Sequence, residues 1–323
     1  MFFTKTASSP VIVGSVGLDD IQTPFGSRKK VLGGSAVYAS WASSYFTPVF
    51  MVGIKGTDFP DKYIEELRIQ NINLDSLQDG DGKTFRWKGK YGYDLNIART
   101  LATDLNVLDK YEPKISGKQK KASYIFLANA DPEVQLKVLN QMESPELVIT
   151  DTMNFWIENT PEKLKEVLKR SNYIFLNDAE ARQLGDDPNL VNAVNNIFGL
   201  GPELVLVKQG EYGVTVFYHN GNKEKIEVFT APSMPLDTVM DPTGAGDSFG
   251  GAFIGYIASK DAVDEATLRQ AVVLGSVVAS FTVEGFSVEK LKEVTPKKIL
   301  NRYRYLKKIS HIESIKEELN ENR

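Results

Sequence analysis

The chain has 323 residues, 42% of them hydrophobic and 25% charged, which excludes a disordered chain and supplies ample material for a large core. With no Cys and two His (His219 and His311), it cannot build a disulfide scaffold, a thiolate zinc site, an iron–sulfur cluster, a cysteine nucleophile or a His-rich metal centre. The 38 Lys+Arg and 42 Asp+Glu leave a net charge of −4, which offers no general attraction to a nucleic-acid backbone.

The length suits two domains of ordinary size, or one large α/β domain with an appendage. No apolar run approaches the about 18 residues of a membrane span. Residues 1–10 carry one Lys and no apolar stretch of the kind a secretion signal needs, which predicts a cytoplasmic protein handling small molecules. Val11–Val16 is a short run rich in β-branched residues, bounded by Pro10 and Gly17, and reads as a buried strand. Residues 17–32, with Pro24 and Gly26, read as an exposed excursion, in the form of a hairpin. Gly33 and Gly34 open a small-residue and aromatic helix over 35–46, and Val49–Val52 is the next strand. Asp58 is the expected N-cap of a helix running to Gln70, with Pro60 in its first turn.

The texture then changes. Phe85 and Trp87 alternate, Gly89 breaks the run, and Tyr91 and Tyr93 alternate again, which predicts a hairpin over 83–94 with one aromatic face. From about residue 120, strand candidates at 124–127, 146–150, 173–176 and 203–207 alternate with helical patterns at 131–142, 161–170 and 178–200, the last broken near Pro188. This rhythm predicts a parallel sheet with helices on both faces. Residues 214–218 and 225–230 read as an antiparallel pair around Asn220-Gly221. The last third is helical, at about 245–259, 264–283 and 297–320, and its Lys/Glu-rich tail reads as a solvated helix face.

The densest chemical signal is Asp241-Pro-Thr-Gly-Ala-Gly-Asp247-Ser-Phe-Gly-Gly, running into an apolar helix. A Gly-x-Gly turn at a helix start presents unpaired backbone N–H groups and the positive end of the helix dipole, a nest suited to anions and phosphate above all. Gly244 and Gly246 leave the approach open, and Thr243 adds a hydroxyl. Asp247 in the first turn would serve equally as a plain helix cap. A carboxylate where an anion should bind is nevertheless wasteful unless it acts on something there, and phosphoryl transfer gives it that work. The turn is not a Walker A loop, because no Lys follows Gly246. The Gly14-Ser-Val-Gly17 segment lacks the third glycine of a dinucleotide fingerprint, which disfavours a dehydrogenase.

The sequence DPTGAGDSFGGAF closely resembles the C-terminal signature of the ribokinase-like, or PfkB, family of sugar and nucleoside kinases. In order along the chain, Gly33-Gly34 resembles the family's di-glycine motif and Gly53-Ile-Lys-Gly56-Thr-Asp58 its Gly-x-x-Gly-x-Asp. Asn177-Asp-Ala-Glu180 resembles its Asn-x-x-Glu, and Lys208-Gln-Gly210-Glu-Tyr-Gly213 its nucleotide-side glycine turn. The resemblance spans about residues 10–290. It implies a ribokinase-like α/β fold, with a core of residues 1–16, 33–71 and 101–323. Residues 17–32 and 72–100 would form a small β-sheet lid over the acceptor.

By the same resemblance, Asp247 is the base that activates the acceptor hydroxyl, and Gly244, Ala245 and Gly246 form the anion hole. Asn177 and Glu180 organise Mg2+, through water, and the phosphates. Lys208, Gly210 and Gly213 border the ATP site. Asp19, rather than Asp20, grips two acceptor hydroxyls, and Gly33 and Gly34 let the acceptor pass close to the backbone. Asp241 and Thr243 fall where many members hold a monovalent cation such as K+. A homodimer through the lid is implied as well. Tyr38 departs from the pattern, because the family usually has Asn five residues after its first motif glycine. Lys208 departs too, since Thr or a small residue is usual there.

The aromatic segment bears on the acceptor. Phe85 and Trp87 fall in the lid, where rings stack on a nucleobase at about 1–3 kcal/mol per base, or else pack lid on lid. Asn154 lies in Asp151-Thr-Met-Asn-Phe-Trp156, at the end of a strand facing the site. Together with Asp19-Asp20, GGSAVY and KTFRW, this segment looks most like the nucleoside-kinase branch, and Tyr38 is expected to flank a flat acceptor. The reading is a kinase for an adenosine-like ribonucleoside. Alternatives are a sugar or sugar-phosphate kinase and, more remotely, a non-catalytic ligand-binding regulator on the same fold. A helix N-terminus should lower the Asp247 pKa and make it a weak base, tolerable if the proton leaves late.

Overall fold

A computed structural model describes residues 8–219 and 225–311. In chain order the elements are β1 (Val11–Val13), β2 (Gly17–Thr23), β3 (Gly26–Gly33), α1 (Ser35–Ser43), β4 (Val49–Lys55), α2 (Asp61–Ile69) and β5 (Ile72–Asp79). They continue with β6 (Arg86–Tyr91), β7 (Ala98–Asp104), β8 (Tyr124–Leu127), α3 (Pro132–Leu139), β9 (Leu147–Asp151), α4 (Asn154–Asn159), α5 (Pro161–Leu168) and β10 (Tyr173–Asn177). The remainder are α6 (Asp178–Gly185), α7 (Leu190–Phe198), β11 (Leu204–Lys208), β12 (Val214–His219), β13 (Ile226–Ala231), α8 (Ala245–Lys260), α9 (Glu265–Thr282) and α10 (Pro296–Ile309).

Nine strands form one sheet in the order β13-β12-β11-β10-β9-β8-β1-β4-β5, and four form a second in the order β3-β2-β6-β7. The large sheet is parallel except for β12 and β13 at one edge. Its strands are near-continuous apolar runs because both faces are covered. Tyr124 and Phe126 of β8 point into one core layer, with α1, α8 and α9. Ile125 and Leu127 point into the other, with α3. The period-2 alternation of a strand thus feeds two cores at once.

Helices α1 and α8 meet at glycines. A Cβ on Gly251 would lie 2.0 Å from the Ala39 carbonyl oxygen, and one on Gly255 would lie 2.7 Å from Ser43 Oγ. All nine residues of α1 are buried. The glycines after Asp247 therefore let α1 press against α8, which locks the Gly34 end of one helix beside the Gly244 end of the other.

Several expectations change. The 83–94 segment is not a hairpin. β6 is one strand, paired in parallel with β2 and antiparallel with β7, so the turn falls after Tyr91. Tyr91 is buried while Tyr93 is fully exposed, so the aromatic face does not extend across the turn. β5, expected in the lid, pairs with β4 in the large sheet because α2 carries the chain across as a parallel βαβ unit, and the second sheet runs on to Asp104. The 17–32 excursion is a hairpin, but β2 is mostly buried and only β3 is largely exposed.

Asp58 does not cap α2, whose N-cap position is Pro60. Its carboxylate instead accepts from the Thr84 N–H at 2.7 Å and the Thr84 hydroxyl at 2.8 Å. The Gly56 N–H also donates to Thr84 Oγ1, at 3.1 Å. The Gly-x-x-Gly-x-Asp segment thus clamps the chain just before it enters β6. The Asn220-Gly221 turn, and the C-terminal tail beyond residue 311, lie outside the described residues. Among the described residues no helix is long and apolar enough to cross a membrane.

Candidate active site

Ligands of open α/β sheets bind beyond the carboxyl ends of the strands, where the strand order reverses. Here β1 leads to β4 on one side and has β8 on the other, so the reversal lies between β1 and β8. The anion turn, Gly33-Gly34, and the ends of β9, β10 and β11 frame this edge.

Gly244 is the N-cap of α8 with φ +78°, a conformation glycine adopts without strain, and a Cβ there would lie 2.4 Å from the Tyr38 ring. Tyr38 is therefore a floor beneath the turn. It is 1% exposed, so its ring does not offer the open face expected of it. Its hydroxyl is buried with no hydrogen-bond partner, and burial, then Asp241 and Asp19, hold its pKa well above the usual range. The Thr243 hydroxyl donates to the Tyr91 hydroxyl at 3.1 Å, which ties the turn to β6 of the second sheet. Tyr91 was visible in the sequence only as one aromatic among four.

Asp19 lies on β2 across from Val31, and its carboxylate occupies the space over Gly33: a Cβ there would lie 1.9 Å from Asp19 Oδ2. Its Oδ1 is buried and unpaired. Burial, reinforced by Asp241 and Asp247, raises its pKa to about 7. Asp20 points elsewhere, into an ion pair with Arg86 and a 2.9 Å hydrogen bond from the Lys30 N–H. Asp241 is fully buried. Its Oδ1 accepts from the Thr243 N–H at 2.9 Å, its Oδ2 has no partner, and burial raises its pKa to about 6.

The other side of the anion turn is built differently. Lys208, at the end of β11, reaches Asp151, at the end of β9, with Nζ 2.6 Å from Oδ2. The same Nζ is 3.1 Å from where a Gly246 Cβ would sit. Burial pulls the Lys208 ammonium down, yet Asp151 and Glu180 together hold its pKa above the usual range. Asp247 is half-buried in the first turn of α8, and its pKa is raised to about 7 by burial and then by Asp151, with Lys208 pulling the other way. The expected lowering by the helix dipole is thus outweighed, because a desolvated carboxylate beside a second carboxylate loses more than a helix end returns.

Asn177 and Glu180 form a reciprocal capping box on α6. The Asn177 side chain accepts from the Glu180 N–H, and the Glu180 carboxylate accepts from the Asn177 N–H, both at 2.8 Å. Burial raises the Glu180 pKa to about 7, with Lys208 opposing. Gly210 and Gly213 have φ +57° and +101° in the turn after β11. A Cβ on Gly210 would lie 1.8 Å from Asn96 Oδ1, so the loop after β6 touches this turn.

Phe85 and Trp87 are half-buried. The Phe85 ring covers Gly17 and the Trp87 ring covers Gly89, while the Trp87 indole donates to Thr100 at 3.1 Å. Asn154 is exposed at the start of α4 and is not drawn into the cluster. Asp151, three residues earlier, is. Its position as the last residue of a parallel strand was the available signal.

The model of the pfkB family carbohydrate kinases matches residues 19–293. A cytidine kinase from Thermococcus kodakarensis is 28% identical over 253 residues, 76% of this chain and 87% of that one. A nucleoside kinase from Burkholderia thailandensis, in complex with inosine, is similar in structure with a TM-score of 0.76 and 18% identity, over 92% of this chain and 98% of that one. The ribokinase of Cryptococcus neoformans, in complex with ADP, is similar with a TM-score of 0.72 and 20% identity, over 92% and 100%. The two structural likenesses share the fold seen here, and the family match covers the anion turn together with both carboxylate groups around it. The chain therefore belongs to the pfkB carbohydrate kinase family, whose members are phosphotransferases acting on a hydroxyl group.

Proposed function

We propose that the chain transfers the γ-phosphoryl group of ATP to a primary hydroxyl of a ribonucleoside. The observation that carries the reading is Asp247, a carboxylate raised to about 7 and set in the first turn of α8 beside the anion turn and Lys208. A base poised near the working pH can take the acceptor's proton, and the turn and the lysine can hold the charge that develops on the transferring group. Asp19, over Gly33, would orient the acceptor through its hydroxyls. The β3-β2-β6-β7 sheet would be the lid that excludes water. The nucleoside acceptor is supported by the relatives named for cytidine and bound to inosine.

The donor set fits Mg2+ held mostly by water and phosphate oxygens. Glu180 and Asp151 offer carboxylates near Lys208, and the ion would neutralise phosphate charge there. Asp241 fits a monovalent cation, because its Oδ2 is buried and unpaired beside Thr243. A coupled ADP-release assay with ATP and Mg2+ tests the reading against adenosine, inosine, guanosine, cytidine, ribose, fructose and fructose 6-phosphate. Acceptor-dependent turnover of a nucleoside is expected. Turnover of the sugars alone would move the chain to the sugar-kinase branch. ADP release independent of every acceptor would overturn the reading.

A further inference from the structure

The proposed site provides for acceptor hydroxyls and a phosphate, but assigns nothing to the base. Asn129, two residues beyond β8, stands on the other side of the strand reversal from Gly14 and Ser15. Its main chain is fastened to the acceptor groove. The Ser35 hydroxyl donates to the Asn129 carbonyl at 2.8 Å and accepts from the Ser15 N–H at 3.0 Å, and Ser35 directly follows Gly34.

The side chain is held in one orientation. The Trp156 indole N–H donates to Asn129 Oδ1 at 3.0 Å. An indole nitrogen can only donate, so the amide oxygen must face it and the NH2 must face away. That NH2 meets the Met153 sulfur at 3.2 Å, and a thioether is a weak acceptor. Asn129 is half-buried, so it is neither sealed in the core nor free in solvent. The result is an oriented amide donor with a poor partner, at the crevice edge next to the di-glycine turn. A flat ring system lies beside it, since Phe155 and Trp156 pack edge to face with centroids 4.8 Å apart, Phe155 being 50% exposed.

We infer that Asn129, oriented by Trp156, reads the nucleobase as a hydrogen-bond donor and selects bases carrying a ring carbonyl over adenine. This rests on the nucleoside-kinase reading and departs from the adenosine-like acceptor suggested by the aromatic segments. A carbonyl oxygen gives the amide a strong acceptor in place of sulfur. The exocyclic amino group of adenine presents protons to it and leaves both donors unpaired.

Inosine and adenosine differ chiefly in this oxo-for-amino exchange, so their kcat/KM ratio reports the contact. Wild-type protein should favour inosine, and cytidine should also be accepted. Asn129→Asp keeps an oxygen for Trp156 and replaces the donor by an acceptor. It should lower the inosine-to-adenosine ratio by about ten-fold or more, with the KM for ATP unchanged. A merely structural role would lower both rates together and leave the ratio alone. Trp156→Phe frees the amide to turn, and should lower the ratio by a smaller factor. A wild-type preference for adenosine, or a ratio unmoved in Asn129→Asp with both nucleosides turned over, would overturn this inference alone. Turnover of sugars but of no nucleoside would overturn it together with the reading beneath it.

Discussion

The two flanks of the anion turn carry similar numbers of carboxylates and treat them in opposite ways. On the Lys208 flank, Asp151, Glu180 and Asp247 surround one half-buried lysine, whose ammonium is 2.6 Å from Asp151. On the Asp19 flank, Asp19 and Asp241 raise each other's energy, and each has a buried oxygen without a partner. The first flank gathers its three carboxylates around one ammonium, and incoming phosphates and metal would rearrange that existing arrangement. The second is left unsatisfied, which costs stability until hydroxyl donors or a cation arrive. Buried polar atoms of this kind mark a place where binding supplies what folding withholds.

The strongest way to break this picture is Asp247→Asn. It should lower kcat by about 10²–10⁴-fold while ATP still binds, measured by turnover alongside nucleotide titration. Near-normal turnover would remove Asp247 from the reaction. In wild-type protein the acidic limb of the kcat/KM profile should fall away below about pH 7, because Asp247 must be ionised to accept a proton.

Lys208→Met tests the flank built around the lysine. Lys208 lowers the Asp247 pKa, so its loss should move that limb to higher pH and raise the KM for ATP by about ten-fold. Lys208→Arg, which keeps the charge beside Asp151, should leave the limb in place. An unmoved limb in Lys208→Met would show that the lysine is not coupled to the base.

Asp19→Asn separates function from stability on the unsatisfied flank. The folded-state pKa of Asp19 is about 7 against 3.8 ordinarily, so the folded protein holds this proton more tightly than the unfolded chain. The group's contribution is therefore fully present below about pH 4 and is lost as pH rises toward 7. Asp19→Asn should raise Tm by about 2–4 °C at pH 8, by clearly less at pH 5, and still lose acceptor turnover. Equal Tm changes at both pH values would contradict the raised pKa of this buried carboxylate.

Much of the site was legible because it is written in backbone requirements. Gly244 must take φ +78° over the Tyr38 ring, and Asp247 must follow in the first helical turn, so residue type and spacing suffice to locate the turn. The parallel core was legible for a similar reason, since strands buried on both faces read as unbroken apolar runs. The second sheet was less so. Its β6 pairs with β2, 68 residues away in sequence (Asp20 opposite Lys88), and the 83–94 run of alternating aromatics gave no sign of which partner it would choose.

The chain's own order of residues therefore determined the family, the layer architecture, the anion turn and its carboxylate, because each depends on local conformation or on periodicity. Only the tertiary structure decided which charges meet. It placed Asp151 beside Lys208 and left Asn154 exposed, paired Asp20 with Arg86, and buried Tyr38 under the turn. It also reversed the expected pKa shift of Asp247. Electrostatic energy depends on distance and on the water removed around each group, and residues from β2, β9, β11 and α8 acquire both only when the sheet edge and the helix ends are assembled.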